Sequence, residues 1–223
     1  MIRIGMVVFD GFTVLDAMGP YEILSRVPGA KVDLIAHTVQ PVIAEHGLPW
    51  QPTITFSACP ELDVICVPGG PGVTATLGNR DFLNALALVA TGAKLVTSVC
   101  SGSLLLGAAG LLHGYRATTH WRYLETLRAL GALPVAERVV WDRDRVTAAG
   151  VSAGIDFALA LAARLSDEST ARQIQLMIEY DPQPPFNSGS PQSAEKSDLD
   201  ALLTATSATH AQRTKLIEAL KRG

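Results

Sequence analysis

The chain has 223 residues, a formal net charge of −3 and 48% hydrophobic residues, which suits one α/β domain with a sizeable core. Its mean hydropathy of +0.25 comes without the roughly 18-residue apolar run of a membrane span, so a buried parallel sheet and an oligomer interface are the expected source. The lack of a basic cluster argues against nucleic acid as a partner, and three cysteines without paired spacing point to a reducing cytoplasm rather than a disulfide framework.

Ile2 to Phe9 reads as a buried first strand, with none of the pattern of a secretory signal before it. Asp10-Gly11 turns into a loop that holds Asp16, and Gly19-Pro20 places a proline where the helix Tyr21 to Val27 begins. Asp16 then stands beyond the carboxyl end of a strand, where open α/β sheets bind ligands. A simple capping role fits that position equally well. Lys31 to Thr38 is a second strand, and Pro41 to Phe56 alternates around Gly47 and Pro49 as a small β excursion. Asp63 to Val67 is a third core strand. It runs into Pro68-Gly69-Gly70-Pro71-Gly72, either a tight turn or one that brings backbone N–H groups close to a ligand. Arg80 to Thr91 reads as a helix.

Lys94 to Leu112 is the most telling stretch. A β-branched strand, Lys94 to Val99, meets an apolar helix carrying Leu104, Leu105, Leu106 and Leu111, with Cys100 at the join among the small residues Ser101, Gly102 and Ser103. This is the pattern of a nucleophile elbow, whose sharp turn tolerates only small neighbours and lifts one side chain above the sheet. A helix N-terminus beneath the sulfur predicts a thiol titrating at roughly 3.5–7.5. Cys59, in a loop, and Cys66, inside an apolar run, read as structural.

Tyr115 to Thr119 is the next expected strand, ended by His120-Trp121 and followed by a helix from Arg122 to Leu130; His120 reads as a hydrogen-bonded structural histidine. Val135 to Trp141 and Arg145 to Ala149 suggest two strands turning at Asp142 to Asp144. The small residues Ala148 to Ala153 imply close packing before a helix from Ile155 to Leu165, and Asp167 reads as the N-cap of a helix to Tyr180. Asp181 to Ser197 is a proline- and serine-rich arm. Asp198 to Lys221 reads as a helix with Leu199, Leu202, Leu216, Ile217 and Leu220 on one face. Residues 1–197 are thus expected to form one α/β domain, and 198–223 a terminal helix packed on it or on a partner subunit. Scattered histidines, no CxxC, no GxGxxG and no Walker lysine leave no metal or cofactor expected.

Asp16 before Gly19-Pro20, the Pro68-Gly69-Gly70 turn, Thr97-Ser98-Val99-Cys100-Ser101-Gly102-Ser103, Ala117-Thr118-Thr119-His120-Trp121 and Pro184-Pro185-Phe186-Asn187 together resemble the isocyanide hydratases of the ThiJ/PfpI superfamily, which has a class I glutamine amidotransferase-like fold. The resemblance implies a single flavodoxin-like three-layer α/β/α sandwich with a mostly parallel sheet, and a homodimer. It implies hydration of an isocyanide by a Cys100 thioimidate, Asp16 as the acid and base, and the backbone N–H groups of Gly70 and Ser101 as anion donors. Members with other chemistry differ at telling positions. PfpI-type proteases carry histidine where this chain has Ser101, chaperone-like and deglycase members carry glutamate where it has Asp16, and amidotransferases use a late His-x-Glu pair that it lacks. Regulators with this domain append paired helix-turn-helices, for which no room follows Ser197. The hydratases often have threonine where this chain has Ser101. A redox-responsive or chaperone-like protein, or a cysteine amidase or peptidase, is the alternative to be weighed.

Overall fold

In a computed structural model that describes residues 1–220, the chain runs β1 (Ile2–Val7), α1 (Val14–Leu24), β2 (Ala30–Ala36), β3 (Val42–Ile43), β4 (Pro49–Trp50), β5 (Ile54–Thr55), β6 (Val64–Val67), α2 (Val73–Thr76) and α3 (Arg80–Thr91). It continues through β7 (Leu95–Val99), α4 (Gly102–Ala108), β8 (Arg116–Ala117), α5 (Leu124–Ala129), β9 (Leu133–Pro134), β10 (Val139–Asp142) and β11 (Arg145–Ala148). Four helices follow: α6 (Ala153–Leu165), α7 (Glu168–Met177), α8 (Lys196–Ala205) and α9 (Ser207–Leu220).

Seven strands form the central sheet in the order β10-β11-β7-β6-β1-β2-β5. Every pairing is parallel except the β10–β11 hairpin. Helices α1, α6 and α7 pack together as one layer, and α3, α4, α5 and α9 as the other, giving the expected three-layer sandwich. Its central strands are buried on both faces: no residue of β6 is exposed, and Ile4, Met6, Val64, Ile65, Val96 and Val99 are fully covered, which is why they read as apolar runs rather than alternating ones. The chain leaves β1 toward β2 on one side and β6 on the other, so a crevice opens at the carboxyl ends of β1 and β6. Asp16 follows β1, Gly69 and Gly70 follow β6, and Cys100 follows β7, so all three reach that edge.

Several elements depart from the sequence expectation. Helix α1 begins at Val14, not at Pro20, which lies inside it; Asp16 is therefore in a helical first turn and not in a loop. Proline has no N–H to offer the carbonyl four residues back, and the helix tolerates this because it is clamped into the core through Ala17, Ile23 and Leu24. Leu111 lies beyond α4, which is one short helix. The strand expected over Tyr115 to Thr119 is only β8, paired with β9 outside the central sheet. The next helix enters through a 3-10 turn at Trp121–Tyr123. The C-terminal segment breaks at Thr206 into α8 and α9; its expected end at Lys221, and residues 221–223, lie outside the described residues. The Pro41 to Phe56 excursion is present as the β3–β4 pair plus edge strand β5, and Asp167 caps α7 by accepting the Thr170 N–H at 2.9 Å. The small residues before α6 have a purpose: a Cβ at Gly154 would stand 3.3 Å from both Pro20 and Val99, so α6 lies directly against α1 and the strand beneath the elbow.

Candidate active site

The join of β7 and α4 has the backbone of an elbow. Cys100 has φ of +57°, a left-handed conformation that a side chain makes costly, about 1–3 kcal/mol. It is held there from several sides. Its N–H is shared between the Ala148 and Ala149 carbonyls at 3.1 and 2.7 Å, and its own carbonyl accepts the Thr119 hydroxyl at 3.1 Å and the Ser103 hydroxyl at 3.3 Å. A side chain at Gly102 would collide with the backbone of Val67 and Pro68, so smallness there lets α4 start against β6. Thr119 was quoted in sequence only as part of a motif; its fastening of the elbow appears only in three dimensions.

Asp16 is fully buried, and its carboxylate does not cap its own helix. Oδ2 accepts the Gly69 N–H at 2.8 Å, while the Gly69 carbonyl accepts the N–H of Thr13 at 2.9 Å. The start of α1 and the turn after β6 are thus stitched together at one glycine. A Cβ on Gly69 would lie 2.5 Å from Ser101 N, 2.7 Å from Ser101 Oγ and 2.9 Å from Asp16 Oδ2, so acid, turn and elbow meet at this point. Asp16 Oδ1 is buried with no well-aligned hydrogen-bond partner. The carboxyl and the Cys100 thiol nevertheless lie close enough to act on one another's proton affinity, a contact without good hydrogen-bond alignment.

Burial dominates the protonation of both groups. It pushes the Asp16 carboxyl up to about 7, against the Gly69 N–H and the Cys100 thiol, which favour the anion, and with the Glu45 charge adding to the rise. Burial and then the Asp16 charge push the Cys100 thiol up as well; the Ser101 N–H and the Arg213 guanidinium act in the opposite direction without prevailing. The expectation of a thiol titrating well below its ordinary range is therefore corrected. A short helix N-terminus does not outweigh a sulfur only 7% exposed beside a carboxyl group. The two form a coupled pair: above about pH 7 the resting pair keeps one proton on sulfur, with Asp16 as a ready acceptor.

The donor assignments also need revision. The Gly70 N–H already donates to the Ser101 hydroxyl at 3.2 Å, so it is not a free anion donor in the resting site. The Ser101 N–H is the donor that faces the sulfur, and the Ser101 side chain braces the glycine turn. His120 is half-buried and accepts the Arg122 N–H at 3.3 Å; burial lowers its basicity, as suits a structural histidine. Cys66 is fully buried, its thiol pushed up to about 12. Arg213, on α9, was not foreseen: it is 3% exposed and donates to the Gly70 carbonyl at 2.6 Å. Beside the elbow lies a cavity of about 510 Å³ whose lining includes Leu15, Thr119, Trp121, Leu124, Val151 and Pro191. The Cys100 side chain is not part of that lining. Among the described residues no group of three or more His, Cys, Asp or Glu side chains is arranged to hold a metal ion, and no helix is long and apolar enough to cross a membrane.

The sandwich, the elbow and the acid beneath it define a class: residues 2–164 match the DJ-1/PfpI family, and the chain belongs to it. Within that family it is similar to the isonitrile hydratase of Pseudomonas putida, with 46% identity across 97% of this chain and 95% of that protein. A ThiJ/PfpI family protein from Pseudomonas syringae superposes with a TM-score of 0.94 at 43% identity, covering 97% of this chain and 90% of the other. The transcriptional regulator GbdR of Pseudomonas aeruginosa matches 80% of this chain at 28% identity, but only 50% of the regulator is covered.

Proposed function

We propose that the chain hydrates organic isocyanides to N-substituted formamides with Cys100 as nucleophile and Asp16 as the group that moves protons. The observation that carries the reading is the fully buried Asp16 carboxyl, fixed by the Gly69 N–H at 2.8 Å and left unpartnered at Oδ1 where the glycine turn meets the Cys100–Ser101 elbow; burial there raises its pKa to about 7, the range in which one group serves as both acid and base near neutral pH. The 46% identity to an isonitrile hydratase over nearly both full lengths supports the choice of substrate.

In this reading the thiol gives its proton to the Asp16 carboxylate as sulfur attacks the terminal carbon of R–N≡C, forming the C–S bond. Asp16 then delivers that proton to the same carbon, leaving a thioimidate, R–N=CH–S–Cys. Asp16, ionised again, takes a proton from water as its oxygen adds to the carbon, and passes it to nitrogen. Collapse of the R–NH–CH(OH)–S–Cys intermediate breaks the C–S bond, releases the formamide and returns the hydroxyl proton to the Asp16–Cys100 pair. The Ser101 N–H stabilises charge on sulfur as it leaves, and the neighbouring cavity, lined by Leu15, Trp121 and Val151 among others, receives the R group. No metal or cofactor enters these steps. The reading includes a homodimer in the cytoplasm, and light scattering tests the dimer.

The decisive measurement is formamide release from an aromatic isocyanide. Cys100→Ala is expected to abolish it with unchanged far-UV circular dichroism, and turnover near that of the unaltered chain would remove sulfur from the mechanism.

A further inference from the structure

Arg213 reaches the site from α9, far outside residues 2–164 that match the family. Its Nε donates to the Thr74 hydroxyl at 2.9 Å and its Nη2 to the Gly70 carbonyl at 2.6 Å, and its guanidinium lies 4.6 Å from the centre of the Tyr123 ring. Tyr123 is itself stacked on His210 of α9, with centroids 5.7 Å apart. Among the described residues no carboxylate pairs with this guanidinium, although it is 3% exposed. A buried cation is costly unless an anion meets it. The ionisable groups whose negative form would favour it are the Tyr123 hydroxyl and the Cys100 thiol, and of these only the thiol has a reason to ionise during catalysis.

We propose that Arg213 is a positioning residue of the active site, fixing the Gly69-Gly70 turn through the Gly70 carbonyl and supplying the countercharge against which the Cys100 sulfur becomes an anion. The C-terminal helix then completes a site that the family core leaves one charge short. The Gly70 peptide unit ties the parts together: its carbonyl accepts from Arg213 while its N–H donates to Ser101 Oγ. Its φ of +128° belongs to glycine. The ionisable groups around this charge are Cys100 at the elbow, Asp16 behind it on α1, His120, Arg122 and Tyr123 in the turn before α5, and His210 on α9. Burial lowers the basicity of both histidines, which keeps them neutral at pH 7 and leaves Arg122 and Arg213 as the cations of the cluster.

The inference rests on Cys100 being the reactive thiol, and its test separates it from the choice of substrate. In the full-length chain, iodoacetamide labelling of Cys100 is followed by peptide mass spectrometry across pH 5 to 10 for Arg213→Gln and Arg213→Lys, with formamide release measured in parallel. Gln keeps a donor for the Gly70 carbonyl but removes the charge; Lys keeps the charge but loses the fork. Arg213→Gln is expected to label about tenfold more slowly at each pH, the change that one pKa unit produces, and Arg213→Lys to stay close to the unaltered chain. Equal labelling rates for all three would overturn the countercharge, as would a Lys variant that behaves like Gln. If Arg213→Gln does not fold, the neutral Arg213→Met takes its place: a folded Met variant that labels about tenfold more slowly supports the proposal, and one that labels at the unaltered rate refutes it. Absence of formamide release with the labelling differences intact would count against the isocyanide substrate and leave Arg213 in its role.

Discussion

Asp16 is ionised easily in an unfolded chain and reluctantly in the folded one, and this difference sets a measurable sign. Its carboxyl moves from an ordinary value of 3.8 to about 7 on burial, so between those values the native state holds a proton that the unfolded state has lost. Stability is then fully present below about pH 4 and declines as pH rises through 7, by about 4 kcal/mol for a difference of this size. Asp16→Asn removes the ionisation. We expect it to be more stable than the unaltered chain at pH 8 in urea unfolding, with the gap closing below pH 5. The same variant should lose formamide production by orders of magnitude while Cys100 can still be alkylated, and turnover that barely changes would hand the proton transfers to another group. In the unaltered chain, activity should rise with pH through about 7 as Asp16 becomes able to accept the thiol proton.

At the scale of elements, the elbow was legible because its signal is local: a β-branched run, one cysteine, three small residues and a leucine-rich helix start. The Asp167 cap of α7 was legible for the same reason, whereas the Asn79 side chain that caps α3 by accepting the Phe82 N–H was not read. The start of α1 was not. Val14 to Met18 carry helix formers, but Gly19-Pro20 reads as a boundary unless the buried face against α6 is known, and that face depends on residues more than a hundred positions away. The thiol's high proton affinity was equally hidden, since a helix N-terminus can be read from sequence and depth of burial cannot. The contact between α1 and α6 makes its own prediction. Gly154→Val would force bulk into a gap where even a Cβ stands 3.3 Å from Pro20 and Val99. We expect a loss of about 1–3 kcal/mol, typical of overpacking, measured by urea midpoint, together with lower kcat as α1 is pushed away from the sulfur.

For the whole molecule, the question is how far the C-terminal segment belongs to the working unit. Ile217 is 1% exposed and Arg213 nearly as deep, while Arg122 reaches the Thr206 hydroxyl at 3.4 Å; α9 is seated on α5 and α2 rather than projecting from them. A chain ending at Ser197 retains the sheet and every flanking helix up to α7. We expect its far-UV circular dichroism to fall only by the helical signal of α8 and α9, and we expect it to bind more of a hydrophobic dye where α9 has left and to lose formamide production; full activity in such a chain would make α8 and α9 an accessory. The sequence had marked this segment by its apolar face alone, which said that it docks and not that it carries a charge into the site.

The stitching of Thr13, Asp16 and Gly69 has a consequence for engineering. Sulfur rides on a strand at the heart of the sheet, the proton store rides on the first helix, and a single glycine between them has no room for even a methyl group. Transplanting the Thr97–Ser103 segment into another scaffold would therefore carry over a bent thiol without its proton partner. In the proposed mechanism the reactivity is a property of the seam between two halves of the sheet, so neither half can donate it alone.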